Sequence, residues 1–170
     1  MQAGSTQSQH VAEWPRIAIV GAGAVGAYFG ARLARAGAPV SMIGRKPFVE
    51  AVERNGLSVE EHGEALTLQV PVSTELSACR GAQLVLFCVK TTDTVATARA
   101  LAPYLASETV LLTLQNGVES AAQVRALVAC PAVPAVVYVA VAMPSPGRVR
   151  HFGRGDLIVG SDAASRRAAA

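Results

Sequence analysis

Charge is scarce in this chain: only 16% of its 170 residues are charged, the formal net charge is +3, and the basic residues are scattered. A nucleic-acid-binding face needs a concentrated basic stripe, so that class is set aside, while a basic cleft for a small anion stays open. Cysteine is also sparse. Cys79, Cys88 and Cys130 form no Cys-x-x-Cys pair and no metal-ligand spacing, and they suit reduced core thiols of a cytoplasmic protein. His10, His62 and His151 stand far apart with no ligand pattern and read as surface or structural residues. No apolar run is long enough for a membrane span. The longest candidate, between Pro131 and Pro144, is too short and is interrupted by Pro134. The first 16 residues are polar, lack the apolar core of a signal peptide and read as a loose extension. No internal repeat is evident.

What is present describes a compact globular chain, 51% hydrophobic and of ordinary domain size. Strand and helix signals alternate. Strands are expected at residues 16–20, 40–43, 84–89, 110–114 and 133–142, and helices at 25–36, 48–54, 94–105 and 118–128. Gly37 reads as the residue that closes the first helix. Residues 57–61 and 65–70 flank His62-Gly63-Glu64 as a hairpin or a pair of short strands, and the unbroken apolar run 84–89 reads as a central parallel strand buried on both faces. After Pro144-Ser145-Pro146-Gly147, short strands at 149–152 and 156–159 around Gly153-Arg154-Gly155 predict a C-terminal β-hairpin. The expected fold is α/β: a Rossmann-type, doubly wound, mainly parallel sheet with helices on both faces. It would occupy residues 16–162, after an extension at 1–15 and before an Ala/Arg-rich tail at 163–170.

The strand at 16–20 runs straight into Gly21-Ala22-Gly23-Ala24-Val25-Gly26, with a helix-forming segment directly behind. Gly-x-Gly-x-x-Gly between strand and helix is what a dinucleotide pyrophosphate needs. Gly21 permits the tight turn, Gly23 has no Cβ to hold phosphates away, and Gly26 lets the helix pack closely on the strand. The N–H groups at the helix start face the negative charge. An ordinary βα turn in an alanine-rich protein is the competing reading.

At the end of the second strand, an acidic residue would favour NAD. Gly44-Arg45-Lys46 stands there instead, and Arg45 and Lys46 can bind a 2′-phosphate by charge-assisted hydrogen bonds, which favours NADP. The plainer alternative is a solvated basic turn. Lys90 follows the central strand, at the carboxyl edge where open α/β sheets bind ligands, although a solubilising charge would look the same. Thr92 or Asp93 can cap the next helix. Asn116, in Gln115-Asn116-Gly117, lies at the equivalent edge of the following strand. It can serve as turn chemistry or cap, or hydrogen-bond the nicotinamide ribose or a substrate oxyanion. Lys90 and Asn116 thus converge on one crevice from two strand ends.

These residues resemble the ketopantoate reductase (2-dehydropantoate 2-reductase) family. The likeness rests on the glycine motif, Gly44-Arg45, Cys88-Val89-Lys90 and Gln115-Asn116-Gly117-Val118-Glu119. Gly147-Arg148-Val149-Arg150-His151 and Gly155-Asp156-Leu157-Ile158-Val159-Gly160 add to it, so that it covers roughly residues 16–160. The resemblance implies NADPH-dependent reduction of a 2-keto acid, ketopantoate, to pantoate on the route to pantothenate. It places the pyrophosphate on the glycines, the 2′-phosphate on Arg45, and the nicotinamide ribose and keto acid near Lys90 and Asn116. The family's general-acid lysine belongs to a helical C-terminal domain that this sequence does not contain, so no catalytic residue is assigned and the chain alone is expected to be inactive or weakly active. A homodimer is left open. The competing readings are a non-catalytic NAD(P)-sensing module, against which Gly44-Arg45-Lys46 and the Lys90 and Asn116 pair both weigh, and a reductase of another 2-keto acid.

Overall fold

The computed structural model describes residues 14–115 and 119–160. Its elements, in chain order, are β1 (Ile17–Val20), α1 (Ala24–Arg35), β2 (Val40–Ile43), α2 (Lys46–Asn55), β3 (Leu57–Glu61), β4 (Glu64–Leu68), β5 (Val72–Ser73), β6 (Leu84–Phe87), α3 (Thr94–Leu101), β7 (Val110–Thr113), α4 (Glu119–Arg125), β8 (Ala132–Ser145) and β9 (Arg148–Val159). They build one nine-stranded sheet in the order β4-β3-β9-β8-β7-β6-β1-β2-β5. From β5 to β8 every neighbouring pair is parallel, so this part is the doubly wound sheet expected from the alternation.

Alternating side chains of the parallel strands feed two separate cores. Ile17 and Ile19 of β1, Leu86 of β6 and Leu112 of β7 face one way, onto α1 residues such as Ala27, Tyr28 and Ala31. Ala18, Val20, Val85, Phe87 and Leu111 face the other way, onto Ala98 and Leu101 of α3 and Val124 of α4. Burial on both faces is why these strands read as unbroken apolar runs rather than alternating ones. Helix α1 ends as expected at Gly37, which has φ +91 and donates to Ala34 O at 3.0 Å.

The C-terminal part departs from expectation. The segment around Gly153-Arg154-Gly155 is not a turn between two short strands. Both belong to the single strand β9, which pairs antiparallel along the 14-residue β8, and the chain reverses at Pro146-Gly147. The pairing register shifts where Gly155 and Phe152 are passed over, and a Cβ at Gly155 would stand 2.9 Å from the Tyr28 hydroxyl. The glycines there accommodate bulges and the close approach of α1. The strands expected around His62-Gly63-Glu64 form the β3–β4 hairpin, turned at His62 (φ 52) and Gly63 (φ 83); what local sequence does not announce is its place at the far edge of the sheet, through parallel pairing of β3 with β9. Glu61 anchors it: Arg32 and Arg35 of α1 lie 3.5 Å from its carboxylate and His151 lies 3.6 Å away. The His151 ring also stacks on Tyr28 at 4.6 Å, so this histidine is structural. His10 lies outside the described residues.

Candidate functional site

Strand β1 has β2 on one side and β6 on the other, so strand order reverses beside it and a crevice opens at the carboxyl ends. A cleft of about 430 Å³ occupies this place, walled by Gly21, Ala22 and Gly23, by Ile43, Gly44 and Arg45, and by Cys88, Val89 and Lys90. The three glycines of the motif do different things. Gly21 has φ +97, and a Cβ there would come within 2.7 Å of the Cys88 and Val89 backbone. At Gly26 a Cβ would stand 2.4 Å from the Gly21 carbonyl oxygen. Nothing lies within 4 Å of a Cβ built on Gly23, whose open side is the cleft itself. The N–H groups of Gly21 and Ala22 both donate to Ile43 O at 3.0 Å, fastening the loop to the end of β2.

Ala27 N–H donates to Gly23 O at 2.8 Å, the first bond of α1. The N–H groups of Ala24, Val25 and Gly26 precede it and have no acceptor within the helix. No side chain caps this end and its first turn holds no acidic residue, so the positive end of the helix is left unneutralised. This donor set, beside the open Cβ position of Gly23, fits a dinucleotide pyrophosphate. The Val25 side chain itself packs on the core.

Of the two cations after β2, Arg45 belongs to the cleft and Lys46 does not. Arg45 is the N-cap residue of α2, and its Nη2 lies 3.4 Å from Asp93 Oδ2. Lys46 pairs along its own helix with Glu50 at 3.7 Å and is not part of the wall. Lys90 is exposed in the wall, at the start of the 3-10 turn Thr91–Asp93. Asp93 stands at the N-cap of α3, yet neither it nor Thr92 makes the expected side-chain cap. Its carboxylate is turned instead to Arg45 and, at 3.2 Å, to the Thr92 hydroxyl. Asn116 lies outside the described residues. Gln115 beside it is buried, and its Nε2 donates to Val89 O at 2.8 Å and to Thr94 Oγ1 at 2.7 Å, which fixes the end of β7 against the loop that carries Lys90.

Reasoning from sequence missed several wall residues: Phe48, Leu76, Asp93, Met143 and Pro146. Their apolar members suit the flat face of a nucleobase. Only Asp93 had a local signal, as a helix cap, and the others are brought in by tertiary packing. Burial pushes the Cys88 thiol up to about 12, so this wall residue is a neutral thiol near pH 7 and no nucleophile. Among the described residues the charged groups of the wall are Arg45, Lys90 and Asp93, an arrangement that can hold and orient an anionic ligand. No group of three or more metal-ligating side chains occurs among the described residues, and no helix there is long and apolar enough to cross a membrane.

Among known proteins, the family described as ketopantoate reductase PanE/ApbA matches residues 17–163. The chain belongs to the ketopantoate reductase family. A PanE/ApbA family ketopantoate reductase from Ralstonia eutropha JMP134 has 45% sequence identity and a TM-score of 0.84, over 89% of this chain and 53% of that one. The 2-dehydropantoate 2-reductase of Halobacterium salinarum is 33% identical over 150 residues, 85% of this chain and 48% of that protein. A glycerol-3-phosphate dehydrogenase [NAD(P)+] of Rhizobium etli is 37% identical over 108 residues, 61% of this chain and 33% of that protein. The chain thus spans about half the length of the ketopantoate reductases it matches, and the matched half is the N-terminal, Rossmann-like domain. The family is one of oxidoreductases.

Proposed function

We propose that this chain is the NADPH-binding half of a cytoplasmic 2-dehydropantoate 2-reductase, the enzyme that reduces ketopantoate to pantoate in pantothenate biosynthesis. One observation carries the reading: an uncapped helix start beside the open Gly23, with Arg45 on the lip of the same cleft. NADPH supplies a hydride when bound. The N–H groups of Ala24, Val25 and Gly26 would hold its pyrophosphate, and Arg45 its 2′-phosphate by charge-assisted hydrogen bonds. Lys90 and Asn116 would order the nicotinamide ribose and the carboxylate or keto oxygen of the substrate. Lys46, held by Glu50, contributes at most to the local positive field.

Reduction of a ketone also needs a proton, or matching charge stabilisation, at the new alkoxide. Lys90 in the described wall is assigned to binding, and the family resemblance implies a helical domain that supplies the proton donor. A second reading keeps the cofactor and changes the substrate to another 2-keto acid. The likeness to a glycerol-3-phosphate dehydrogenase favours keeping it, because the same half serves proteins named for different substrates.

The test is a pair of binding titrations with NADPH and NADH on the chain and on its Arg45→Ala variant. At least tenfold preference for NADPH is expected, lost on removing Arg45. Equal affinity for both dinucleotides would reject the cofactor assignment. Rapid ketopantoate turnover by this chain alone would reject the assignment of the proton donor elsewhere.

A further inference from the structure

Asp93 has no role in the scheme above, yet it is the only carboxylate among the described residues of the cleft wall. Its two oxygens are both engaged. Oδ1 accepts from the Thr92 hydroxyl at 3.2 Å, which orients the group, and Oδ2 accepts from Arg45 Nη2 at 3.4 Å. The two partners come from opposite sides of the crevice, Arg45 from the end of β2 and Asp93 from the turn after β6. The pair therefore links two sides of the cleft wall through the residue assigned above to the 2′-phosphate. Both side chains are well exposed, Arg45 by 80% and Asp93 by 44%, so the contact is weak and easily exchanged.

We propose that Asp93 sets how strongly NADPH is preferred over NADH, by competing with the 2′-phosphate for the Arg45 guanidinium. The proposal rests on the NADPH reading of the cleft. Binding of the phosphorylated dinucleotide exchanges one anionic partner of Arg45 for another, and the displaced carboxylate stays nearby as a like charge. An unphosphorylated ribose gains nothing from the exchange and leaves the Arg45–Asp93 pair in place. Asp93 thus lowers affinity for NADPH while leaving NADH nearly untouched, which narrows discrimination between them. The competition is electrostatic at an exposed site, so it weakens as salt rises.

The experiment measures dissociation constants for NADPH, NADH and 2′,5′-ADP with the full chain, Asp93→Asn, Arg45→Ala and the double variant, at low and moderate salt. Asparagine keeps the shape and the N-cap preference of residue 93, and Asp93→Ser provides a second neutral N-cap residue. Thermal melts establish that each variant is folded. Asp93→Asn is expected to tighten NADPH and 2′,5′-ADP about three- to tenfold at low salt, to change NADH less than twofold, and to gain less in the Arg45→Ala background. Unchanged or weaker NADPH binding by both neutral variants overturns the proposal while wild-type preference for NADPH leaves the cofactor reading standing. A selective loss of NADH affinity overturns it as well, because Asp93 would then be an acceptor for ribose hydroxyls. If wild type prefers NADH and Arg45→Ala is neutral, the cofactor reading and the proposal fall together.

Discussion

Two glycines three residues apart, Gly23 and Gly26, illustrate how differently one residue type can be constrained. Gly23 has φ −77, a value open to any L-residue, and a Cβ there meets nothing within 4 Å. Gly23→Ala should therefore melt within a degree or two of wild type and bind NADPH at least tenfold more weakly, because the methyl group stands where the phosphates approach. Gly26→Ala forces a Cβ to within 2.4 Å of the Gly21 carbonyl, and urea unfolding should show a loss of about 1–3 kcal/mol, as for an overpacked core. The motif in the sequence names all three glycines, but only the coordinates separate Gly23, open to the cleft, from Gly21 and Gly26, which the fold crowds. The same holds for the two cations after β2. Adjacent in sequence, Arg45 faces Asp93 and Lys46 faces Glu50, since successive residues at a helix start point in different directions.

At the scale of elements, the parallel strands and their helices were legible because each carries its own periodicity and its own stop signal. Gly37 closing α1 and the apolar run of β6 are local facts. The C-terminal hairpin was misjudged because Gly153-Arg154-Gly155 has turn composition, whereas strand β9 continues past it as long as β8 offers a partner. Pairing over that distance leaves no local trace. The wall residues Met143 and Pro146 were missed for the same reason, since the hairpin tip is carried to the cleft by the sheet. Gln115 joins two elements in a way that neither announces. Gln115→Leu removes its bonds to Val89 O and Thr94 Oγ1 and should cost about 1–3 kcal/mol in chemical denaturation, with a parallel loss of NADPH affinity as the Lys90 loop loosens.

For the whole molecule, the three thiols give alkaline pH a calculable effect. Burial raises Cys79 and Cys88 from 9.0 to about 12 and raises Cys130 in the same direction. The folded chain thus holds these protons more tightly than the unfolded chain. The contribution of Cys79 and Cys88 is complete below about pH 9 and is lost as pH climbs toward 12, at about 1.4 kcal/mol per pH unit for each of these two thiols, and Cys130 acts in the same direction. Melting temperatures recorded from pH 8 to 10.5 should fall, and more shallowly for Cys79→Ala than for wild type. A slope unaltered by that substitution would mean that other groups set the alkaline limit.

The order of synthesis meets the order of strands in an awkward way. The β3–β4 hairpin is complete at Leu68, but the strand it must join begins at Arg148. A ribosome adding ~5–20 residues per second needs roughly 4–16 s to cover those 80 residues, and for that time the hairpin can lean on α1 but has no strand beside it. Met143 and Pro146, which finish one wall of the cleft, emerge in the same late interval. A nascent chain therefore gains its complete cleft only once β8 and the turn after it are out.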